Sequence, residues 1–333
     1  MSARQLSVAV VQGGPSTEAE VSRASAAGIE KALARSGHNV RRLELDASLA
    51  ESLRAGKFDV VFPVAHGAVG ENGSLQGLLE VLEIPYVGSD VLASALAMHK
   101  RVARVLFERA GLPVALGTAL RRGSSADARA AAERMRREIG ARLVVKPSSQ
   151  GSAIGVVRLD ADAGTHDVAR AIEAAWEIDE FAIVEHFACG REVTCGVLDL
   201  DEPRALAPTE IISPMDPFYT YEARYAPGRS LHECPAVLPP GVAERVQSVA
   251  VAAHEALGCR DLSRVDFVVG DEGAPEALTL LEINTLPGMT ETSLYPEAAF
   301  AAGFAMPRMC DALVARAHAR GPSRRAKSRP LPR

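Results

Sequence analysis

Cysteine is scarce in this 333-residue sequence and never paired: Cys189, Cys195, Cys234, Cys259 and Cys310 stand apart, with no C-x-x-C among them. An odd, scattered set supports neither a disulfide framework nor a zinc site. Long apolar runs are missing as well. The opening MSARQLSVAVVQGG holds an apolar stretch too short for a secretory leader, and nothing approaches the roughly 20 residues of a membrane span. No G-x-G-x-x-G follows the first strand and no G-x-x-x-x-G-K-[ST] occurs, which argues against a dinucleotide-binding dehydrogenase and a P-loop. Basic charge is short outside the C-terminal end. The net charge is −5, although the final RGPSRRAKSRPLPR carries six Arg/Lys and no acid, so the body is more acidic still. Such a body is no nucleic-acid surface. The tail suits either an acidic partner or a solvated, disordered end. The expectation is a cytosolic protein in a reducing compartment, with no nucleic acid and no membrane among its partners.

What is present has a clear order. The length suffices for two or three domains, and 47% hydrophobic with 24% charged residues is ordinary for a globular chain. LSVAVVQ (6–12) reads as a buried strand, followed by Gly13-Gly14. Thr17-x-x-Glu20 then predicts a capping box for a helix running to about Ser36, with Gly37 at its C-terminal turn. Strands at 40–45 and 58–66 and helices between and after them predict a parallel sheet over the first hundred residues. After Lys100 comes a compact α+β unit with strands VALGTAL, RLVVK, GVVRL and FAIVEHF. From Arg191 follow EVTCGVLDL, a long loop around 219–229, a helix at 241–257, strands RVDFVVG and ALTLLEINT, and C-terminal helices.

Three segments could carry chemistry. LEINTLPGMTETS (281–293) puts Glu282 and Asn284 on one strand face and turns at once through Pro287-Gly288. Alone, that is either a hard-cation pair or a wet edge strand. SRVDF (263–267) precedes it across a short turn. Paired antiparallel, Asp266 would join Glu282 and Asn284 in an all-oxygen set suited to Mg²⁺ on nucleotide phosphates. Arg264 shares the face of Asp266, either as charge compensation or to stabilise an oxyanion. VVKPSSQGSAIG (144–155) places Lys146 at a strand end before a Ser/Gly loop, which is a phosphate loop or a plain hairpin. In QGGPSTEAEVS and VAHGAVGENG, Glu18 near a helix start could serve the helix dipole only, and a lone His66 is as well explained by structure as by catalysis.

Taken in order, GGPSTEAEVS, HGAVGENGSLQG, GSDVLASALAMHK, KPSSQGSAIG, YEARY, GCRDLSRVDF and LEINTLPGMTETSL resemble the D-alanine–D-alanine ligases of the ATP-grasp superfamily, from about residue 6 to 319. The resemblance implies an α/β fold of α+β lobes. It comprises an N-terminal parallel α/β substrate-binding domain (1–99), a central ATP-grasp lobe (100–187), a C-terminal ATP-grasp lobe with metal and substrate site (188–320), and a basic tail (321–333). It implies ATP and Mg²⁺ (or Mn²⁺) as cofactors, two D-alanines as substrates, and a homodimer. The activity implied is phosphorylation of one D-alanine carboxylate followed by attack of the second D-alanine's amine, giving the dipeptide for peptidoglycan.

By matched motif positions, the resemblance implies ATP contacts from Lys100, Lys146, Glu185, Phe187 and Glu192, and metal ligation by Asp266, Glu282 and Asn284. Arg264 and the Gly288 N–H would hold the tetrahedral oxyanion. Glu18 and His66 would meet the first D-alanine; Ser293 and Leu294 would receive the carboxylate of the second. Glu18, Ser152 and Tyr225 would form a hydrogen-bonded trio closing the site against water. Two positions depart from the family pattern: Arg224 stands where Lys is usual, near substrate carboxylate, and Ala153 where a second Ser is common. Tyr225 favours an amine as second substrate. The alternatives are another ATP-grasp carboxylate ligase, such as one making D-alanyl–D-lactate, and a non-catalytic nucleotide-binding protein, which should lack a metal ligand.

Overall fold

The computed structural model describes residues 5–123, 127–213, 229–270 and 277–322. Strands β1 (Ser7–Gln12), β2 (Asn39–Glu44) and β3 (Val60–Pro63) form a parallel sheet in the order β2-β1-β3. Val8, Ala9, Val10 and Val11 of β1 are all fully buried, because helices cover both faces, and this is why the strand reads as an unbroken apolar run.

Helix Ala19–Arg35 links β1 to β2 and ends, as predicted, with Gly37 at φ 90°. Its start corrects the expected capping box. Glu18 is the cap residue and makes no side-chain capping bond. The turn is closed instead by Ser16, whose Oγ accepts the Glu18 N–H at 3.0 Å. Glu20 is drawn outward to Arg23, and the Glu18 carboxylate reaches across to Ser152.

The next sheet is antiparallel, in the order β4-β7-β5-β6, from β4 (Gly117–Arg121), β5 (Leu143–Pro147), β6 (Val157–Leu159) and β7 (Phe181–His186). Helices Ala128–Glu138 and Thr165–Ile178 cover it. Its core, including Leu120, Met135, Leu143, Ile172 and Val184, is drawn wholly from this stretch of chain.

The largest sheet holds β8 (Arg191–Asp199), β9 (Pro203–Ala205), β10 (Thr209–Ile212), β11 (Leu231–Glu233), β12 (Leu262–Val269) and β13 (Leu278–Asn284). The order is β11-β10-β8-β12-β13, with β9 on β8. Helix Val242–Ala256 packs on one face. Helices Leu294–Ala301 and Met306–Arg320 join this sheet to the first one. Leu313 and Val314 share a core with Val8, Ile29 and Phe62 as well as Leu198 and Leu262. Among the described residues no single helix is long and apolar enough to cross a membrane; the two C-terminal helices would suffice together but meet at 99°.

Candidate active site

The site is built on the β12–β13 ladder. Asp266 lies opposite Glu282 and Arg264 opposite Asn284, so all four side chains share one face. The ladder slips by one residue at Leu281, just past this quartet, since Phe267 pairs with Leu280. Such a bulge twists a strand where side chains must be aimed. The acids are compensated where they stand. Arg264 forks onto Asp266 through Nε to Oδ1 (2.9 Å) and Nη2 to Oδ2 (2.8 Å). Thr194, opposite Asp266 on β8, donates to Oδ1 at 2.6 Å. Lys100 Nζ sits 3.0 Å from Glu282 Oε2 and donates to the Gln150 carbonyl at 2.6 Å. Asn284 Oδ1 accepts the Leu286 N–H at 2.8 Å, which starts the turn through Pro287.

This donor set fits a hard divalent cation. Two carboxylates and an amide oxygen are all-oxygen donors, and a carboxylate oxygen that accepts one hydrogen bond keeps a lone pair. Among the described residues no cluster of three or more His, Cys, Asp or Glu could ligate a metal unaided, so phosphate oxygens or water would complete the shell.

Glu18, His66, Glu71, Lys100, Ser152, Arg264, Glu282, Asn284, Gly288, Ser293 and Leu294 open onto one cavity of about 1340 Å³; Asp266 lies beneath, held by Arg264. Ser152, at φ 50°, donates to Glu18 Oε1 at 2.5 Å. Their expected third partner, Tyr225, and the neighbouring Arg224 lie outside the described residues. Burial lowers the His66 pKa and Arg264 adds to this, against the pull of Glu18, so the ring is held neutral; its Nε2 has no hydrogen-bond partner among the described residues. Glu71 was not anticipated. It accepts the Gly67 N–H at 2.6 Å, and burial, with the Glu18 charge beside it, pushes its carboxyl up to about 8. The HGAVGENG segment carried that residue; its place beside Glu18 in the cavity is what the segment could not announce.

A Cβ at Gly288 would fall 2.9 Å from Ser293 Oγ, so glycine lets the turn close on that hydroxyl. Ser293 Oγ accepts the Thr290 N–H at 3.0 Å and lies 2.7 Å from Thr290 Oγ1. The Leu294 side chain turns inward against Ile211, leaving its backbone, at the positive end of helix Leu294–Ala301, toward the cavity.

Beside this cavity a narrow cleft is lined by Lys146 and Glu185 together with Lys100 and Glu282. Glu185 is 8% exposed and receives two cations: Lys146 Nζ at 2.7 Å on Oε2, and Arg104 Nη1 at 2.8 Å on Oε1. Burial pushes this carboxyl up, but Lys146 and Arg104 prevail and hold it below the usual range. Arg104 was also missed, although it stands four residues after Lys100 and so on the same helical face. Phe187 follows, half-buried, with the Arg158 guanidinium 4.5 Å from its ring centre. Glu192 on β8 faces the same side as Thr194.

The Ser/Gly loop differs in part from a fully open phosphate cradle. The Ser148 N–H goes to the Phe181 carbonyl (3.1 Å), and both the N–H and hydroxyl of Ser149 go to Asp179. These donors are spent anchoring the loop to β7. The part that faces the cavity is Gly151 and Ser152.

Family models for the D-Ala D-Ala ligase C-terminus and N-terminus match residues 106–315 and 39–89. D-alanine–D-alanine ligase of Desulforamulus reducens is 40% identical over 312 residues, covering 93% of this chain and 97% of the relative. That of Acidiphilium cryptum is 43% identical, covering 94% and 99%. Among solved structures, the D-alanine–D-alanine ligase from Coxiella burnetii matches with a TM-score of 0.80 at 27% identity, covering 96% of this chain and 95% of the other. VanG D-Ala:D-Ser ligase from Enterococcus faecalis matches with a TM-score of 0.80 at 29% identity, covering 94% and 100%. With the ordered motifs and the ladder geometry, these matches place the chain in the D-alanine–D-alanine ligase family of the ATP-grasp superfamily.

Proposed function

We propose that this protein joins two D-alanines to D-alanyl–D-alanine at the expense of ATP, through a D-alanyl phosphate, for peptidoglycan precursor synthesis. The observation that carries the reading is the Asp266–Glu282 rung, with Asn284 and Arg264 on the same face, opening beside the Ser152–Glu18 hydrogen bond. Metal-binding and substrate-binding groups thus meet in one place. A carboxylate is a poor electrophile, and phosphorylation supplies its leaving group. Bringing two anions together for that step needs fixed positive charge.

In this reading Lys100 and Lys146 hold ATP phosphates, Glu185 and Phe187 hold the adenine, and Glu192 meets the ribose hydroxyls. Asp266, Glu282 and Asn284 would hold Mg²⁺ or Mn²⁺, which when bound screens phosphate from carboxylate. Glu18 accepts the first substrate's ammonium. Glu71, whose carboxyl is pushed up to about 8, and His66, whose pKa burial lowers, line the same cavity beside it. Arg264 and the Gly288 N–H face the developing oxyanion, and Ser293 with the Leu294 backbone receives the second carboxylate. Ser152 and Glu18, with Tyr225, close the loop so that water does not take the acyl phosphate. Residues 1–99, 100–187 and 188–320 would form three lobes, two copies of the chain a dimer.

The test is ADP release with ATP and Mg²⁺ against D-alanine, L-alanine, D-serine and D-lactate. D-alanine alone should sustain turnover and yield the dipeptide. Turnover that requires D-serine or D-lactate as second substrate would assign a different product. E282Q should abolish turnover; unchanged phosphate release would remove the metal-site reading.

A further inference from the structure

Glu185 has two cations, one on each carboxylate oxygen. They are held very differently. Lys146 reaches it from β5 on a flexible stem, and among the described residues Glu185 is its only ion-pair partner. Arg104 reaches it from helix Lys100–Arg109 and is fixed at three points: Glu185 Oε1 at 2.8 Å, Glu108 Oε1 at 2.9 Å, and the Ala115 carbonyl. Both side chains are nearly covered, Arg104 at 11% exposed and Lys146 at 10%. A planar guanidinium locked at three acceptors stays in place, whereas an ammonium with one partner can be drawn to a richer anion.

On the proposed function, Lys146 must serve nucleotide phosphate, and to do so it leaves Glu185 Oε2. A carboxylate buried to 8% exposure cannot be left bare, since an uncompensated buried charge is strongly destabilising. The neighbouring strand supplies no further cation: Gly117 lies opposite Glu185, and even a methyl group there would come within 2.7 Å of Glu185 Cγ.

We propose that Arg104 is the standing counter-ion of Glu185. It holds the carboxylate charged, with Oε2 aimed into the cleft, so that Lys146 is free to exchange that oxygen for a phosphate while Oε2 accepts the amino hydrogen of the base. Arg104 is then a positioning residue that sets nucleotide affinity and base preference, and it touches neither substrate nor reacting atoms. Guanine presents a carbonyl oxygen where adenine presents an amino group. An anionic acceptor at Oε2 therefore rejects GTP, and loss of Arg104 weakens the rejection.

The experiment is steady-state kinetics of the full chain with ATP and with GTP, for the parent, R104Q, R104K, E185Q and the R104Q/E185Q double variant. R104Q should raise KM for ATP by at least ~10-fold with a smaller effect on kcat, and lower the ATP-over-GTP preference. R104K, which restores the charge without the fork, should recover part of both. Once Glu185 is neutral no counter-ion is required, so R104Q should cost little more in the E185Q background. That non-additivity separates a charge partner from a structural arginine. KM for ATP within twofold of the parent in R104Q, or R104Q and E185Q effects that simply add, would overturn the proposal while leaving the nucleotide site intact. Unchanged KM and base preference in E185Q would instead overturn the placement of adenine at Glu185, and the proposal with it. If R104Q does not fold, R104K against the double variant gives the same comparison: R104K indistinguishable from the parent in the ATP-over-GTP ratio, with the double variant worse than E185Q, overturns it.

Discussion

Ser152 donates a 2.5 Å hydrogen bond to Glu18 across 134 residues of chain, from the loop after β5 to the N-terminal cap of helix Ala19–Arg35. The bond ties the loop that would cover the phosphates to the carboxylate that would hold the first substrate. With Glu18 as the substrate's partner, loop closure and substrate binding would report on each other.

Ser152→Ala should uncouple the reaction. The loop would close less completely, and water would compete for the acyl phosphate. The expected result is a rise of ~10-fold or more in KM for D-alanine, as one charge-assisted hydrogen bond is lost. Phosphate release should also exceed dipeptide formation. A variant whose phosphate-to-dipeptide ratio stays at the parent value would show that the bond has no part in excluding water.

Asp261 joins the C-terminal helix to the chain at Gly88. Fully buried and at φ 65°, it accepts the Gly88 N–H at 2.8 Å and both Arg320 nitrogens at 2.7 Å, with Arg316 3.3 Å away. D261N tolerates the left-handed backbone but leaves Arg320 without its anion. A loss of ~3 kcal/mol or more is expected in urea unfolding. A change below ~0.5 kcal/mol would mean that solvent readily replaces the ion pair.

Much of this layout was readable in one dimension. VAVV (8–11) is an unbroken apolar run because β1 is covered on both faces, and the alternation in LEIN aims Glu282 and Asn284 together. What could not be read depends on burial or on distant partners. The side chain of Arg104 is explained by Glu185, 81 residues on. The apparent capping box of Thr17 and Glu20 failed because the cap falls on Glu18, whose carboxylate accepts from Ser152 in the loop after β5. The slip at Leu281 leaves no mark in the residue pattern, since either register keeps Leu280 apolar. That Ser149 is spent on anchoring the Ser/Gly loop could not be read, because its partner, Asp179, lies a helix away.

Glu71 sets an alkaline limb to stability. Its folded pKa, raised by burial and by Glu18 to about 8, lies above the ordinary 4.5. The folded chain thus keeps a proton that the unfolded chain releases, and stability falls as pH rises from about 4.5 to about 8, then levels. E71Q imitates the protonated form and its carbonyl still accepts the Gly67 N–H. It should be more stable than the parent at pH 9, by up to a few kcal/mol, and similar at pH 5. Parallel stability curves for the two proteins across that range would show that Glu71 is already ionised in the fold.

His254 sets the acid limb. It lies on helix Val242–Ala256, 1% exposed, with Nδ1 2.8 Å from Ser263 Oγ and no hydrogen-bond partner for Nε2 among the described residues. Burial lowers its pKa from 6.5 to about 4, against the opposing pull of Asp199 and Asp261. Between those two values the unfolded chain binds a proton that the folded chain refuses. Stability should fall as pH drops through 6.5 and stop falling on this account near 4, with ~3.4 kcal/mol as the upper bound at 1.36 kcal/mol per unit. Urea midpoints at intervals from pH 7.5 to 4.5 would test it in the parent and in H254L. The variant loses the Ser263 bond and starts lower, but it carries no titrating ring, so its midpoint should change less with pH. Equal slopes in the two proteins would place the acid sensitivity elsewhere than at His254.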